Sequence, residues 1–218
     1  MKIDIARLFI DTTTTALEGF LLLVAPSAPG IRAIEHMAPD DFAIIGCGTP
    51  RTSDDVIALL PYKNRSVKTA LIELKTHRNR RVANILGAVL FDGLKSRADS
   101  GTIIIPIPIT RAKRVERGWN QCELVLGGLK KVDRTGMFEV RTDILVKIRE
   151  TPDQVGKSRA ERFENLRDSF AVRSPAAIAG RSVIVFDDIL TTGATLGEAR
   201  RALLAAGARA VICVALAH

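Results

Sequence analysis

The sequence is poor in cysteine. Its 218 residues include only Cys47, Cys122 and Cys213, which lie far apart, and no Cys-x-x-Cys pair occurs. An odd number of widely spaced cysteines argues against a disulfide scaffold and against a self-contained zinc site, so we expect no zinc. Because reduced, buried thiols are typical of a reducing compartment, we expect a cytoplasmic protein.

Long apolar segments are missing as well. No run approaches the roughly 18 apolar residues that a membrane-spanning helix needs. The most apolar N-terminal stretch, residues 20–25, follows Glu18, ends at Pro26 and has no cationic segment before it. This pattern is typical of the end of a core helix rather than of a signal peptide. We therefore expect neither a membrane span nor secretion.

Aromatic residues are scarce, at 5% of the chain, and Trp119 is its single tryptophan. Basic residues, in contrast, are concentrated: residues 61–97 contain nine basic and two acidic side chains, in a chain whose net charge is +8. Such a concentration favours a phosphate-bearing partner, either a nucleotide or a nucleic acid. A solvated basic helix face explains the same charges, and both interpretations stay open at this point.

From Gly101 onward, strand-like and helix-like patterns alternate. The β-branched runs predict strands at residues 102–109, 143–148, 182–186 and 210–216, with a short edge strand at 169–172. Amphipathic segments predict helices at residues 121–129 and 196–206. This alternation is typical of βαβ units, and it predicts an α/β fold built on a doubly wound parallel sheet.

The part of the chain before Gly101 is predicted to be mainly helical. Residues 4–24 predict a helix, which a Pro/Gly-rich stretch follows, and residues 65–95 predict two helices separated by a basic turn at 76–81. We divide the chain into a short N-terminal helical and irregular segment, residues 1–55, and a main domain, residues 56–218.

The segment with the most chemical content follows the strand predicted at 182–186, where ligands of doubly wound sheets bind. It reads Asp187-Asp188-Ile189-Leu190-Thr191-Thr192-Gly193-Ala194-Thr195. Backbone N–H groups at the start of the next helix, a glycine that allows close approach and threonine hydroxyls form a cradle for a phosphate monoester. The two acids repel phosphate, so they fit a sugar cis-diol or a hydrated Mg²⁺.

Other interpretations explain this segment less completely. A capping box formed by Thr195 and Glu198 accounts for the start of a helix but not for the two acids. A P-loop needs a lysine after the glycine, which is absent here. A receiver-type phosphoacceptor has its acids after the first strand, near the start of the chain, rather than here.

Residues 183–195 resemble the phosphoribosyl pyrophosphate (PRPP) binding signature of type I phosphoribosyltransferases. Further segments resemble the ComF (competence protein) family, namely residues 105–111, 117–121 and 151–170 and the surroundings of Tyr62-Lys63 and Leu74-Lys75. The resemblance covers roughly residues 56–218. The family usually begins with a cysteine-rich zinc ribbon, whereas residues 1–55 contain Cys47 alone.

The resemblance implies a set of site residues. Asp187 and Asp188 would hold the ribose hydroxyls and Mg²⁺, and the 5′-phosphate would lie on Thr191, Thr192, Gly193, Ala194 and Thr195. Arg111, Arg114 and Lys75 are candidates for binding the pyrophosphate, because a bidentate guanidinium suits a diphosphate. Residues 150–169 form a long polar connection, expected to be a flexible lid with Gln154, Arg159 and Arg162 as its functional residues.

The activity implied is displacement at ribose C1, with Mg²⁺ as cofactor, pyrophosphate as leaving group and an unidentified acceptor. No covalent nucleophile is needed, and His36, His77 and His218 are scattered along the chain. Enzymes that salvage 6-oxopurines have an aspartate where this chain has Thr191. The resemblance therefore predicts negligible transfer to hypoxanthine or guanine.

A second hypothesis is a nucleic-acid-associated protein of DNA uptake that keeps the PRPP pocket for sensing or structure. Single-stranded DNA would lie on the basic segment, although 5% aromatic residues supply few stacking platforms. The residues concerned are Lys63, Arg65, Lys68, Arg78, Arg80 and Arg81. A third hypothesis is an interaction module with a degenerate pocket. A second copy of the chain, in a homodimer, is a further partner that we consider.

Overall fold

The computed structural model describes residues 31–45, 51–53, 56–149 and 165–218. The helices are α1 (Ile31–Glu35), α2 (Pro39–Ile45), α3 (Arg65–His77), α4 (Arg80–Leu94), α5 (Arg111–Arg117), α6 (Gln121–Val132) and α7 (Ala194–Ala205). The strands are β1 (Arg51–Ser53), β2 (Val56–Leu60), β3 (Thr102–Pro106), β4 (Phe138–Val140), β5 (Leu145–Lys147), β6 (Phe170–Val172), β7 (Ser182–Ile189) and β8 (Ala210–Ala217). The helix predicted at residues 4–24 and Cys47 lie outside the described residues.

Six strands form the central sheet in the order β1-β2-β8-β7-β3-β4. All neighbours are parallel except β1, which runs antiparallel along the edge of β2. Strand β7 lies between β3 and β8, and all three consist largely of β-branched and small apolar residues. This composition suits strands that are buried on both faces, and the predicted α/β fold with a parallel sheet is confirmed.

Helices cover both faces of the sheet, because alternate residues of β7 belong to different cores. Ile184 and Phe186 pack with α3, α4 and α6 on one face. Val183 and Val185 pack with α7 and the β5–β6 pair on the other face. Within the described residues, no helix combines the length and the apolar character that crossing a bilayer requires.

The strand predicted at residues 143–148 occupies a different place from the one expected. It is present as β5, but it pairs antiparallel with β6 in a separate two-stranded sheet, with Leu145 opposite Val172. Its carboxyl end is therefore not part of the ligand-binding edge of the central sheet. The parallel strand beside β3 at this edge of the sheet is instead β4, whose three residues are too few to give a periodic signal.

Asparagine side chains cap the starts of three helices. Asn64 caps α3, Asn79 caps α4 and Asn120 caps α6, each accepting a hydrogen bond from a backbone N–H of the first turn. Between α3 and α4, Arg78 has a left-handed backbone (φ 51°) and Asn79 begins the next cap. The basic turn predicted between these two helices is therefore confirmed.

Helix α6 continues past the glycines at which it was predicted to end. One of them, Gly128, packs against α4 instead of ending the helix. A Cβ atom on Gly128 would lie 2.3 Å from the carbonyl oxygen of Ala83 in α4. A Cβ atom on Gly87 would lie 2.3 Å from the backbone nitrogen of Leu129. Since side chains at these two positions would collide with backbone, the glycines let α4 and α6 touch directly.

This contact generates a prediction with a matched control on the same helix. Gly128→Ala should lower the free energy of unfolding by about 1–3 kcal/mol, because the helices must separate. Gly127→Ala should raise it by up to about 1 kcal/mol, since that position is exposed with nothing within 4 Å and alanine favours helix. Urea denaturation measures both, and equal effects of the two substitutions would contradict the proposed close contact.

Candidate functional site

The two adjacent acids, Asp187 and Asp188, belong to the end of strand β7 itself rather than to the loop after it. Asp187 is in register with Ala215 of β8, and Ile189 is in register with Ala217. The N–H of Leu190 then donates to the carbonyl of Ala217, at 2.7 Å. Because the sheet continues to Ile189, the backbone of both acids is held by strand pairing, which fixes where their carboxylates begin.

The start of α6 is fastened to the same edge of the sheet by the buried side chain of Asn120. Its Nδ2 donates to the carbonyl of Ile107, at 2.9 Å, and its Oδ1 accepts from the N–H of Cys122, also at 2.9 Å. The N–H of Ile107 in turn donates to the carbonyl of Phe186 in β7, at 2.8 Å. These bonds bring the first residues of α6 beside the acids.

Each acid has its own partner on α6. The Nε2 of Gln121 donates to Oδ2 of Asp188, at 2.9 Å. The Sγ of Cys122 donates to Oδ1 of Asp187, at 3.8 Å, and the same oxygen accepts from the N–H of Asp188, at 2.9 Å. Two consecutive residues of α6 therefore form hydrogen bonds with two consecutive residues of β7.

Burial makes these groups resist ionisation. Burial, and after it the negative charge of Asp188, raise the pKa of Asp187 well above its ordinary value. Burial and the two nearby carboxylates likewise raise the pKa of the Cys122 thiol, so the sulfur keeps its proton and can donate it. The Cys122 thiol therefore stays protonated, and Asp187 ionises less readily than an exposed carboxyl does.

The site contains donor atoms that fit a divalent cation. One ligand atom each from Cys122, Asp187 and Asp188 lie within 4.8 Å of one another. Mg²⁺ prefers oxygen, and it is commonly held by one or two carboxylates together with substrate phosphates and water. The two acids match that donor set. The protonated thiol does not, because a hard cation binds neutral sulfur poorly.

The loop after β7 leads directly into α7. Gly193 is the N-cap residue and has a left-handed backbone (φ 78°), and the hydroxyl of Thr192 accepts a hydrogen bond from the N–H of Ala194, at 3.5 Å. Thr191 is exposed, whereas Thr192 and Thr195 are half-buried. The amino end of a helix therefore lies next to a loop with three hydroxyl groups, in the chain order that suits an anion.

The capping box predicted for Thr195 and Glu198 is wrong. Helix α7 already begins at Ala194, which places Thr195 inside it. Glu198 is buried, and its Oε1 accepts from the N–H of Asp168, at 2.7 Å, and from Arg201, at 2.8 Å. Its carboxylate ties the chain before β6 to α7 instead of closing a helix turn.

The basic residues predicted to bind pyrophosphate lie on helices. Arg111 is the first residue of α5 and is exposed, and Arg114 donates to Glu123 of α6, with Nη1 3.0 Å from Oε2. Lys75 is exposed near the end of α3. Its neighbour Leu74 accepts a hydrogen bond from Nε1 of Trp119, at 2.8 Å. The predicted lid residues Gln154, Arg159 and Arg162 lie outside the described residues.

The basic segment forms an exposed surface along α3 and the start of α4. We call it the basic surface, and its members are Lys63, Arg65, Lys68, Lys75, Arg78, Arg80 and Arg81. The hydrogen bond from Trp119 to α3 joins this surface to the segment that leads into α6. The basic surface therefore approaches the edge of the sheet at which the two acids lie.

The sequence alone did not identify Gln121 and Cys122 as site residues. Their signal was present in the order of residues: an asparagine that follows a strand and a short exposed helix is a typical N-cap. The first two residues of the helix that it starts then face the strand ends. What the sequence could not supply was the partner, since Gln121 and Asp188 are 67 positions apart.

The raised pKa of Asp187 predicts a dependence of stability on pH. A carboxyl whose pKa is higher in the folded state contributes stability that is full below its unfolded pKa, about 3.9, and is lost as the pH rises through the folded value. Asp187→Asn cannot ionise. Its midpoint of thermal unfolding should exceed that of the wild type by a few degrees at pH 8, and the difference should shrink toward pH 4.

Asp143→Asn is the matched control, because Arg141 lowers the pKa of Asp143 rather than raising it. That substitution should leave the midpoint unchanged or lower it slightly at pH 8. Scanning calorimetry of the three proteins between pH 4 and pH 8 tests the sign. A lower midpoint for Asp187→Asn at pH 8 would show that the ionised carboxylate stabilises the fold.

Comparisons with known proteins agree with the sequence motifs. A profile of the phosphoribosyl transferase domain family matches residues 129–218. The DNA utilization protein YhgH of Escherichia coli K12 is 28% identical over 144 residues, which cover 64% of this chain and 61% of that protein. The competence protein ComFC of Bacillus subtilis is 28% identical over 163 residues, covering 71% and 63%.

Competence protein F of Haemophilus influenzae is 31% identical over 102 residues, covering 46% of this chain and 43% of that protein. The chain thus spans about three fifths or less of the length of most of these relatives. Among solved structures, a hypoxanthine phosphoribosyltransferase from Staphylococcus aureus aligns with 14% identity and a TM-score of 0.37, over 63% of this chain and 64% of that one.

The sequence relatives, the domain profile and the motif at residues 183–195 point to one family. The parallel sheet, with its acids at the end of β7 and a helix directly after the loop, has the architecture that this family predicts. The predicted resemblance is therefore confirmed: the chain is similar to ComF-like proteins, and its residues 129–218 match the phosphoribosyl transferase domain family.

Proposed function

We propose that the protein binds PRPP with Mg²⁺ at the carboxyl edge of the sheet and transfers the phosphoribosyl group to an acceptor, releasing pyrophosphate. We place this activity in the cytoplasm and in a domain of residues 56–218. One observation carries the proposal: a carboxylate pair fixed at the end of β7 is followed within a few residues by a threonine-rich loop and the amino end of α7. That order provides acceptors for a diol next to donors for a phosphate.

The loop at residues 191–195 would hold the 5′-phosphate. Its anion lies in the field of the amino end of α7, whose twelve residues give a full helix dipole. The Thr191, Thr192 and Thr195 hydroxyls supply further donors. Gly193 supports this role because it has no side chain to obstruct the start of the helix, and its left-handed backbone (φ 78°) favours glycine.

The carboxylates of Asp187 and Asp188 would hold the ribose hydroxyls and Mg²⁺. When bound, Mg²⁺ would supply positive charge that neutralises the departing pyrophosphate. The two acids differ in this role, because the pKa of Asp187 is raised by burial and by its neighbour. Asp188 is the better candidate for a direct contact with the ligand, since its carboxylate is not turned toward the Cys122 thiol.

Arg111, Lys75 and Arg114 would bind the pyrophosphate. Arg111 and Lys75 are exposed, and Arg114 would have to exchange Glu123 for phosphate oxygens. That ion pair is only partly buried, and pairs of this kind contribute about 1 kcal/mol or less. A diphosphate with a higher negative charge can therefore replace the carboxylate. Gln154, Arg159 and Arg162 remain the proposed lid residues, which would exclude water from the reacting ribose.

The chain offers positioning and electrostatic stabilisation rather than a covalent nucleophile. The bond from ribose C1 to the pyrophosphate oxygen breaks as the acceptor approaches, and the transition state resembles an oxocarbenium ion. Cationic side chains stabilise the charge that develops on the leaving group. His77 is engaged with Glu73 and Thr76 within α3, so its described contacts are structural.

The first test is titration calorimetry with PRPP and Mg²⁺. We expect binding by the wild type, and Asp188→Asn should weaken it by about 1.5–3 kcal/mol, about 10- to 150-fold in Kd, because a ribose hydroxyl loses its charged acceptor. Asp92→Asn is the control, since Asp92 is an exposed acid on α4 that pairs with Lys95. If Asp188→Asn stays folded and binds PRPP as the wild type does, the role of the acid pair is wrong.

A second candidate function is binding of single-stranded DNA on the basic surface. Relatives of this chain are named DNA utilization protein and competence protein. Seven exposed cations on α3, its preceding turn and the start of α4 support a track for phosphates. In this proposal the PRPP pocket serves sensing or structure. The bond between Trp119 and Leu74 favours communication between the two sites, because it joins α3 to the site edge.

This function predicts a salt-dependent affinity. If about five of the cations neutralise DNA phosphates, log K against log salt should have a slope of roughly −3.5 for a single strand. Changing Arg78, Arg80 and Arg81 to Glu should abolish binding of a fluorescent oligonucleotide at low salt. The control changes Lys130, Lys131 and Arg134 to Glu, which alters the net charge equally near the end of α6. DNA binding that survives the first variant would exclude a role for the basic surface.

A further inference from the structure

The side chain of Gln121 has one hydrogen-bonded end and one buried end without a partner, an arrangement that costs the folded protein stability. Its Nε2 donates to Oδ2 of Asp188, but its Oε1 is buried and has no hydrogen-bond partner in the described part of the chain. A carboxylate only accepts, so the amide must turn its nitrogen toward Asp188 and its oxygen away. A buried acceptor without a donor destabilises the folded state.

The backbone of Gln121 has little freedom to relieve this arrangement. The residue directly follows Asn120, whose buried side chain is bonded both to Ile107 and to the N–H of Cys122. Gln121 is therefore the first residue of a helix whose start is fixed from two sides. From that position its amide reaches Asp188, and the contact joins residues 67 positions apart.

We propose that Gln121 is a positioning residue for Asp188. By binding Oδ2, its amide restricts the rotation of the carboxylate and leaves Oδ1 as the oxygen that meets the ligand. This inference rests on the proposed PRPP site, and it gives a reason for an unsatisfied acceptor at that place. The amide orients the carboxylate of Asp188, and its own Oε1 is left without a hydrogen bond.

The test combines two measurements on Gln121→Met, which keeps the length of the side chain but removes both amide atoms. The midpoint of thermal unfolding should equal or exceed that of the wild type, because the unsatisfied acceptor is gone. The Kd for PRPP with Mg²⁺ should rise about tenfold, because Asp188 is no longer oriented. Lys130→Met, an exposed change on the same helix, is the control and should alter neither value.

Gln121→Glu adds a readout that a purely structural residue would not change. A protonated glutamic acid donates to Asp188 as the amide does, whereas an ionised one repels it at the same distance. The affinity of Gln121→Glu relative to the wild type should therefore rise as the pH falls from 8 to 5.5. The affinity of Gln121→Met relative to the wild type should stay constant over this range.

The outcomes separate this inference from the function on which it rests. If the wild type does not bind PRPP with Mg²⁺, the proposed site and the role of Gln121 both fail. If the wild type binds and Gln121→Met binds equally well, only the positioning role is overturned. A marked loss of thermal stability in Gln121→Met would also overturn it, because the side chain would then serve the fold. Weak binding with unchanged stability and a pH-dependent glutamate variant would support it.

Discussion

The geometry of the site depends on the buried side chain of Asn120. This one amide joins the chain after β3 to the first turn of α6, and it does so with both of its polar ends. Because the loop after β3 is itself bonded to β7, three elements share one fixed point. An interior amide whose groups are all satisfied contributes specificity as well as stability, since any other arrangement would leave a polar atom unpaired. Gln121 and Cys122 meet the acids only because this point is fixed.

From that point, the two acids acquire different chemistry although they are neighbours with the same side chain. Asp187, which is half-buried, faces a thiol and a backbone N–H, and its pKa is raised. Asp188 faces an amide that holds one of its oxygens. Two fully ionised carboxylates side by side would repel any phosphate brought close to them. Because the raised pKa of Asp187 favours its protonation, this repulsion is reduced, while the carboxylate of Asp188 offers an acceptor for the sugar.

The sequence predicted the features that depend on local pattern, and it missed those that depend on distant contacts. The strands β3, β7 and β8 were found because buried parallel strands are continuous β-branched runs, and the acids were found because they follow such a run. β5 was given to the wrong sheet because three residues carry no information about their partner. Glu198 was assigned to a cap because the spacing fits, whereas burial directs it to Asp168. Gln121 was missed because its partner is far away in the chain.

At Gly87 and Gly128, the contact between α4 and α6 is made by backbone. Surfaces without side chains have no rotamers to lose when they associate, so the ordering entropy of this contact is small compared with that of two helices joined by leucines. The same property removes the usual means of adaptation, because neighbouring rotamers cannot rearrange to accept a new methyl group at either glycine. Gly87 and Gly128 are therefore expected to be retained together when the sequence varies. A substitution at either glycine would separate the two helices instead of being accommodated by a rearrangement of neighbouring side chains.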